Sequence, residues 1–230
     1  MRSILSVLFP HACAGCDGVT STGGFCSICS PTAYRLDGRA CPMCSQPMET
    51  RGVSLCGRCL KTPPPFESTH ALWEYDGAIA DAFRRIKYGG DLPALRSLCR
   101  DARPWMEGLV SSLPEEVPLI PMPSHPSELC RRGFHLTGIA LRSLTKSAGR
   151  RVVTSLRKVR ETRVQASLPF GERRRNVRGA YRWQGPGTGA GRAVIFDDVM
   201  TTGATAEAAT TALLEAGFEA VEVIVLARAP

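Results

Sequence analysis

No apolar run in these 230 residues approaches the roughly 20 that a membrane-spanning helix needs. The opening stretch of Ile4, Leu5, Val7, Leu8 and Phe9 is too short for that role and lacks the small-residue cleavage site of a secretory signal. A cytoplasmic protein with no membrane span is therefore expected, its opening stretch forming an amphipathic first helix packed on the domain. The missing signal also counts against disulfides, despite ten cysteines. Acidic residues are scarce in one place: between Arg131 and Arg182 only Glu161 and Glu172 oppose fifteen Lys or Arg, a net of +13. The whole chain carries +8, so the remainder is −5 and the basic surplus belongs to that segment. An apolar share of 43% and a charged share of 22% are otherwise those of a soluble globular protein, long enough for one core and a smaller module.

Eight of the cysteines form four Cys-x-x-Cys pairs: Cys13 and Cys16, Cys26 and Cys29, Cys41 and Cys44, Cys56 and Cys59. Nine, eleven and eleven residues separate successive pairs. Two residues between thiolates let both point at one tetrahedral Zn²⁺, and two such knuckles complete a closed site. The simplest assignment joins neighbours, one zinc at Cys13, Cys16, Cys26 and Cys29 and another at Cys41, Cys44, Cys56 and Cys59; interleaved pairing stays open. Both sites read as structural, with metal binding supplying the folding free energy of a region too small to fold on its own core. Gly15, Gly24 and Gly57 suit tight turns beside them. Cys99 and Cys130 stand alone and are expected to be small buried side chains.

Pro63, Pro64 and Pro65 place a boundary between a zinc module, residues 1–64, and a second domain, residues 65–230. In the latter, strands are expected at 69–75, 117–122, 151–155, 193–196 and 220–227. Helices are expected at 76–88, with Ile79, Ala82, Phe83 and Ile86 on one face and Lys87 near its stop at Gly89 and Gly90, at 92–103, from Pro104 onward, and at 137–148. Alternating strands and helices argue for an α/β fold with a parallel sheet.

The run AVIFDDVMTTGATA, residues 193–206, joins a buried strand to two carboxylates, a Thr/Gly turn and a helix that ends before Gly217. Ligands of open α/β sheets bind at the carboxyl ends of strands, where Asp197 and Asp198 fall. A glycine turn leading into a helix N-terminus suits a phosphate, and adjacent carboxylates suit vicinal hydroxyls or Mg²⁺ held through water. Ribose 5-phosphate carries both groups. The segment resembles the binding signature of type I phosphoribosyltransferases.

Other motifs widen the resemblance. The double cysteine ribbon, Ile86-Lys87-Tyr88-Gly89-Gly90-Asp91, Ile120-Pro121-Met122-Pro123 leading to Arg132-Gly133-Phe134, and Gln165 followed by Arg175-Asn176-Val177 occur in the order seen in ComF-type competence proteins. The likeness covers essentially the whole chain. It implies a type I phosphoribosyltransferase-like α/β domain with helices on both faces of a parallel sheet, behind a double zinc ribbon, and an association with DNA uptake in natural transformation. It further implies that Asp197 and Asp198 meet the ribose hydroxyls and Mg²⁺, and that Thr201, Thr202, Gly203, Ala204 and Thr205 hold the 5-phosphate. Lys87, Ser124 and Arg132 would bind the rest of phosphoribosyl pyrophosphate, under a mobile loop spanning residues 157–176. His135 and Leu136 depart from the Asn and Gln expected there, and Thr201 stands where purine-salvage enzymes carry a carboxylate, which argues against that substrate class.

The basic segment has three readings: a solvated face, a pyrophosphate site, or a surface for single-stranded DNA on which Phe134, Phe170, Tyr181 or Trp183 stack bases. Three functions compete accordingly. The chain is a phosphoribosyltransferase with an unidentified acceptor, an accessory protein that binds phosphoribosyl pyrophosphate and single-stranded DNA without catalysis, or a zinc adaptor docking on a helicase or channel component.

Overall fold

The computed structural model describes residues 11–36, 38–49, 54–163, 169–186 and 191–230. The expected first helix at residues 4–9 and Gln165 lie outside the described residues, as does the side chain of Phe170. Within the cysteine-rich region, β1 (His11–Ala12) and β2 (Val19–Thr20) pair antiparallel, and α1 (Gly57–Lys61) follows the last knuckle. Next come β3 (Ser68–Glu74), α2 (Gly77–Gly89), α3 (Leu92–Ser111), β4 (Leu119–Pro121), α4 (Pro126–Arg132) and α5 (Leu136–Leu144). The basic segment holds β5 (Leu156–Lys158), α6 (Phe170–Val177) and β6 (Tyr181–Trp183), and β7 (Arg192–Met200), α7 (Ala204–Leu214) and β8 (Ala220–Arg228) follow.

The strands β3, β8, β7 and β4 lie side by side in that order, all parallel. Their apolar runs are buried on both faces, as expected where helices cover a sheet from either side. Val194 and Phe196 of β7 and Ile224 and Leu226 of β8 pack with α2, α3 and α5. The alternate residues Ala193, Ile195 and Val221 pack with α7 on the other face. The α/β architecture with a parallel sheet and helices on both faces is therefore present, preceded by the cysteine ribbon.

That ribbon is docked tightly. Leu36 N–H donates to Leu72 O at 3.0 Å and Glu74 N–H to Tyr34 O at 2.9 Å, so the ribbon covers the outer edge of β3. Ala14 enters the core cluster of the main domain, and a Cβ on Gly15 would stand 3.1 Å from both Ala78 Cβ and Cys29 Sγ, which explains the glycine at that close approach.

Four expectations need correction. Residues 92–111 form one helix with Pro104 inside it, not two. Leu95, Leu98, Cys99, Ala102, Met106 and Val110 keep one buried face at helical spacing through the proline, and that packing carries the helix past the missing N–H. The 151–155 strand reduces to a single bridge, Val152 to Leu119, because Pro118, Pro121 and Pro123 leave β4 few donors; the pairing resumes at β5, against β6. Strand β7 does not stop at Phe196 but runs through Asp197 and Asp198 to Met200, held on one side by β8. Cys99 is buried as expected, whereas Cys130 is exposed on α4, a helix that buries none of its residues.

Candidate functional site

Strand β4 makes its last ladder pair at Pro121, opposite Phe196. Beyond that point β7 has a neighbour on one side only, and a crevice of about 420 Å³ opens over the carboxyl ends of the sheet. Asp197, Asp198, Thr201 and Thr205 line it together with Lys87, Ser124 and Arg132. Thr202, Gly203 and Ala204 join Asp197 around a smaller hollow beneath the turn. Residues spread over 118 positions are thus gathered in one place, from Lys87 to Thr205.

The acid pair is wired by short local bonds. Asp197 Oδ1 accepts from Asp198 N–H at 2.8 Å, and Asp198 Oδ1 from Val199 N–H at 2.6 Å. Asp198 is buried and its carboxylate takes Lys87 Nζ at 3.0 Å on either oxygen. Lys87 is delivered by the turn after α2. Gly90, at φ 66, ends that helix in the left-handed conformation, and Asp91 then caps α3 by accepting from Ala94 N–H at 2.8 Å while holding Arg85 at 2.6 Å. Burial works against the Lys87 ammonium, but the attraction of Asp198 and then Asp197 prevails and holds its pKa above normal. Among the described residues no cation is bonded to Asp197, and Lys87 and Lys158 act on it only from a distance. Burial first, and the neighbouring Asp198 charge second, push its pKa up to about 7.

The turn after β7 has the form its composition suggested. Gly203 sits at φ 79, where only glycine is relaxed, and α7 starts at the next residue with its N-terminal end at the turn. Thr202 Oγ1 accepts from Ala204 N–H at 3.3 Å. The carbonyl of Thr202 takes a hydrogen bond from Arg58, and Glu207 on α7 takes one from the same guanidinium at 2.6 Å. Arg174 of α6 also reaches Glu207, at 2.8 Å.

Tyr75 and Glu128 also line the crevice and carried no signal in the sequence. Arg131, Lys158, Thr162, Arg163, Arg173 and Tyr181 reach it from the basic segment, and Lys158 is paired with Glu128 at 2.6 Å. Arg58 and Glu207 were equally silent, one inside a zinc knuckle and the other on an unremarkable helix turn. Arg228 did leave a trace, being the charge that closes the apolar run of β8. It is buried, donating to Cys44 O at 2.9 Å, Gln46 Oε1 at 2.7 Å and Met200 O at 3.3 Å.

The basic segment borders the crevice on one side and solvent on the other. Lys158, Arg163 and Arg174 are committed to Glu128, Glu172 and Glu207, whereas Arg157, Arg175, Arg178 and Arg182 are exposed. The three aromatic residues whose side chains are described are engaged elsewhere. Phe134 packs on the core, Tyr181 is buried in the crevice wall, and Trp183 stacks edge-on against Phe218 at 5.2 Å.

The eight knuckle cysteines settle into neighbouring pairs. The sulfurs of Cys13, Cys16, Cys26 and Cys29 lie within 4.8 Å of one another, and so do those of Cys41, Cys44, Cys56 and Cys59. Four thiolates about 2.3 Å from a tetrahedral zinc stand about 3.8 Å apart. Cys16 to Cys26 measures 3.7 Å and Cys44 to Cys56 3.6 Å. These are two four-cysteine zinc-binding sites, with no fourth position open to a reactant.

Among the described residues no helix is long and apolar enough to cross a membrane. Residues 4–60 match the double zinc ribbon domain family. Over 213 residues the chain is 31% identical to the DNA utilization protein YhgH of Escherichia coli, covering 89% of this chain and 90% of that one. It is 29% identical to competence protein ComFC of Streptococcus pneumoniae over 88% and 87% of the two chains. It is 25% identical to competence protein F of Haemophilus influenzae over 96% and 98%. Ribbon, sheet and acid-pair turn all fall within reach of these near full-length matches, and the chain belongs to the ComF family of competence proteins.

Proposed function

We propose that the chain binds phosphoribosyl pyrophosphate with Mg²⁺ and transfers its phosphoribosyl group to an acceptor, in the service of DNA utilization and uptake. The observation that carries this reading is the convergence of Asp197 and Asp198 with the Gly203 turn on one crevice. A phosphate on the turn places a ribose within reach of the two acids, and Lys87, Arg131, Arg132, Lys158 and Arg173 supply positive charge for a pyrophosphate. Hard carboxylate oxygens suit Mg²⁺, which when bound would neutralise charge on the departing pyrophosphate.

In the transfer, the acceptor forms a bond to ribose C1 as the C1–O bond to pyrophosphate breaks, the electron pair leaving with pyrophosphate and the acceptor's proton passing to solvent. Asp197 and Asp198 hold the 2- and 3-hydroxyls and stabilise the positive charge that develops on the ribose ring. Lys87 holds and orients the Asp198 carboxylate. Calorimetric titration of Mg²⁺ and phosphoribosyl pyrophosphate into the wild type and into Asp197→Asn with Asp198→Asn tests the site: binding is expected in the first and loss in the second, and equal binding in both refutes the assignment. A screen of acceptors for pyrophosphate release, with the double variant as blank, separates transfer from binding alone.

A second reading adds single-stranded DNA as a partner. It is supported by the exposed Arg157, Arg175, Arg178 and Arg182, which lie outside the crevice lining and exceed what one small anion requires. A helicase or channel component of the uptake machinery is a further candidate partner on the strength of the family alone.

A further inference from the structure

We infer that Arg58 is a positioning residue for the phosphate turn, through which the second zinc site, and not the first, is coupled to ligand binding in the crevice. The inference rests on the reading of that turn as the ribose-phosphate site. Arg58 lies between Cys56 and Cys59, so the knuckle that gathers those thiols also fixes the start of its side chain. From there the guanidinium spans to the turn, one nitrogen donating to Thr202 O and the other to Glu207 Oε1. A Cβ on Gly203 would stand 3.7 Å from Arg58 Nη2, so the cation sits directly behind the turn.

A second guanidinium grips the other end of the same turn. Arg228 holds Cys44 O and Gln46 Oε1, both in the second ribbon, and reaches Met200 O at 3.3 Å. The carbonyls of Met200 and Thr202 are therefore both drawn by guanidinium groups anchored on that ribbon. In a planar trans peptide the N–H points opposite to the C=O. Fixing these two carbonyls fixes the N–H groups of Thr201 and Gly203 in the opposite direction, which is how the backbone of such a turn presents donors to an anion.

The first ribbon is attached elsewhere. Ala12 O accepts from Ser97 Oγ at 2.5 Å, Thr22 O from Arg100 at 3.2 Å, and Arg35 pairs with Asp101 at 3.0 Å, all on α3. Its loss leaves the Arg58 and Arg228 anchors of the phosphate turn in place.

Coupling between two sites is reciprocal. Ligand on the turn must raise the affinity of the second zinc, and only that one. The experiment is an equilibrium competition for zinc between the full chain and a chromophoric chelator, with and without Mg²⁺ and phosphoribosyl pyrophosphate. One of the two zinc ions is expected to bind about fivefold more tightly, or better, when the ligand is present. Arg58→Ala is expected to keep two zinc ions, to lose that response, and to bind the ligand at least about fivefold more weakly; Arg58→Lys, with charge but no fork, recovers only part. Glu207→Gln lies outside the ribbon and is expected to weaken the response in the same direction should Arg58→Ala fail to fold. Arg35→Ala, on the first ribbon, is expected to change neither quantity. Wild-type binding with an unchanged response in Arg58→Ala, or in Glu207→Gln where it stands in, overturns the inference alone. Failure of the wild type to bind the ligand overturns the site reading first, and the inference with it.

Discussion

Asp197→Asn is expected to stabilise the protein at alkaline pH while abolishing its ligand binding. The amide oxygen of asparagine can still accept the 2.8 Å bond from Asp198 N–H, so the change is chiefly one of charge. Asp197 is raised from its ordinary 3.8 to about 7, by burial foremost and by Asp198 next. Between roughly pH 4 and pH 7 the folded protein therefore keeps a proton that the unfolded chain has released. Stability falls as pH rises through that window and the loss is complete above it. The whole shift corresponds to about 4 kcal/mol, and screening at a half-buried side chain lowers the expectation to about 2 kcal/mol. For a chain of this size that is roughly 4–8 °C in melting temperature. Scanning calorimetry of both proteins at pH 5 and pH 8 reads it directly: the variant should melt higher at both, and by more at pH 8 than at pH 5. Parallel melting curves across the range would refute the assignment of an ionisation penalty to Asp197. The same proton must leave before the acid can serve a cation, so wild-type affinity for phosphoribosyl pyrophosphate with Mg²⁺ should rise as pH increases to about 7 and then level off.

Other outcomes follow from particular contacts. Lys87→Met leaves the Asp198 carboxylate buried without its cation and should destabilise by about 1–3 kcal/mol in thermal unfolding; adding Asp198→Asn should restore part, and no recovery would show that the pair is not the cause. Converting Arg157, Arg175 and Arg178 together to Ala should weaken binding of a single-stranded oligonucleotide, measured by fluorescence anisotropy, and reduce the slope of log affinity against log salt by about 2. An unchanged slope would remove those three from the DNA surface. Pro104→Ala restores the N–H missing from the interior of α3 and should raise stability by about 1–3 kcal/mol, whereas a neutral or negative effect would mean the helix is accommodated to the ring.

The parts of the fold that were readable are those whose information is local. An apolar run followed by acids, hydroxyls and a glycine describes the buried part of β7, its turn and the start of α7, because strand burial, left-handed glycine and helix start are each short-range requirements, although the strand runs on through the acids to Met200. The cysteine spacing identified the knuckles for the same reason, but left their partners open until the sulfurs were seen together. What was illegible depends on groups distant in sequence. Lys87 meets Asp198 because Gly90 and Asp91 fix the end of α2, and nothing near Asp198 announces it. Helix α3 ran through Pro104 because its buried face outweighed a local rule. The 151–155 strand failed because of prolines in a different strand, and Phe134, Tyr181 and Trp183, proposed for base stacking, pack against core clusters instead.

The strand order has a consequence for how the protein is made. Strand β8 lies between β3 and β7, and Ser68 faces Glu222 across 154 positions. At bacterial translation speeds β3 waits roughly 8–30 s on the ribosome for its partner, with one edge unsatisfied throughout. Its other edge is shielded sooner, since the ribbon residues that pair with Leu72 and Glu74 are synthesised before it. A zinc-loaded ribbon is thus in place to cover that edge on the nascent chain, so that zinc starvation during growth should show first as aggregation of newly made protein and only later as loss of the folded pool.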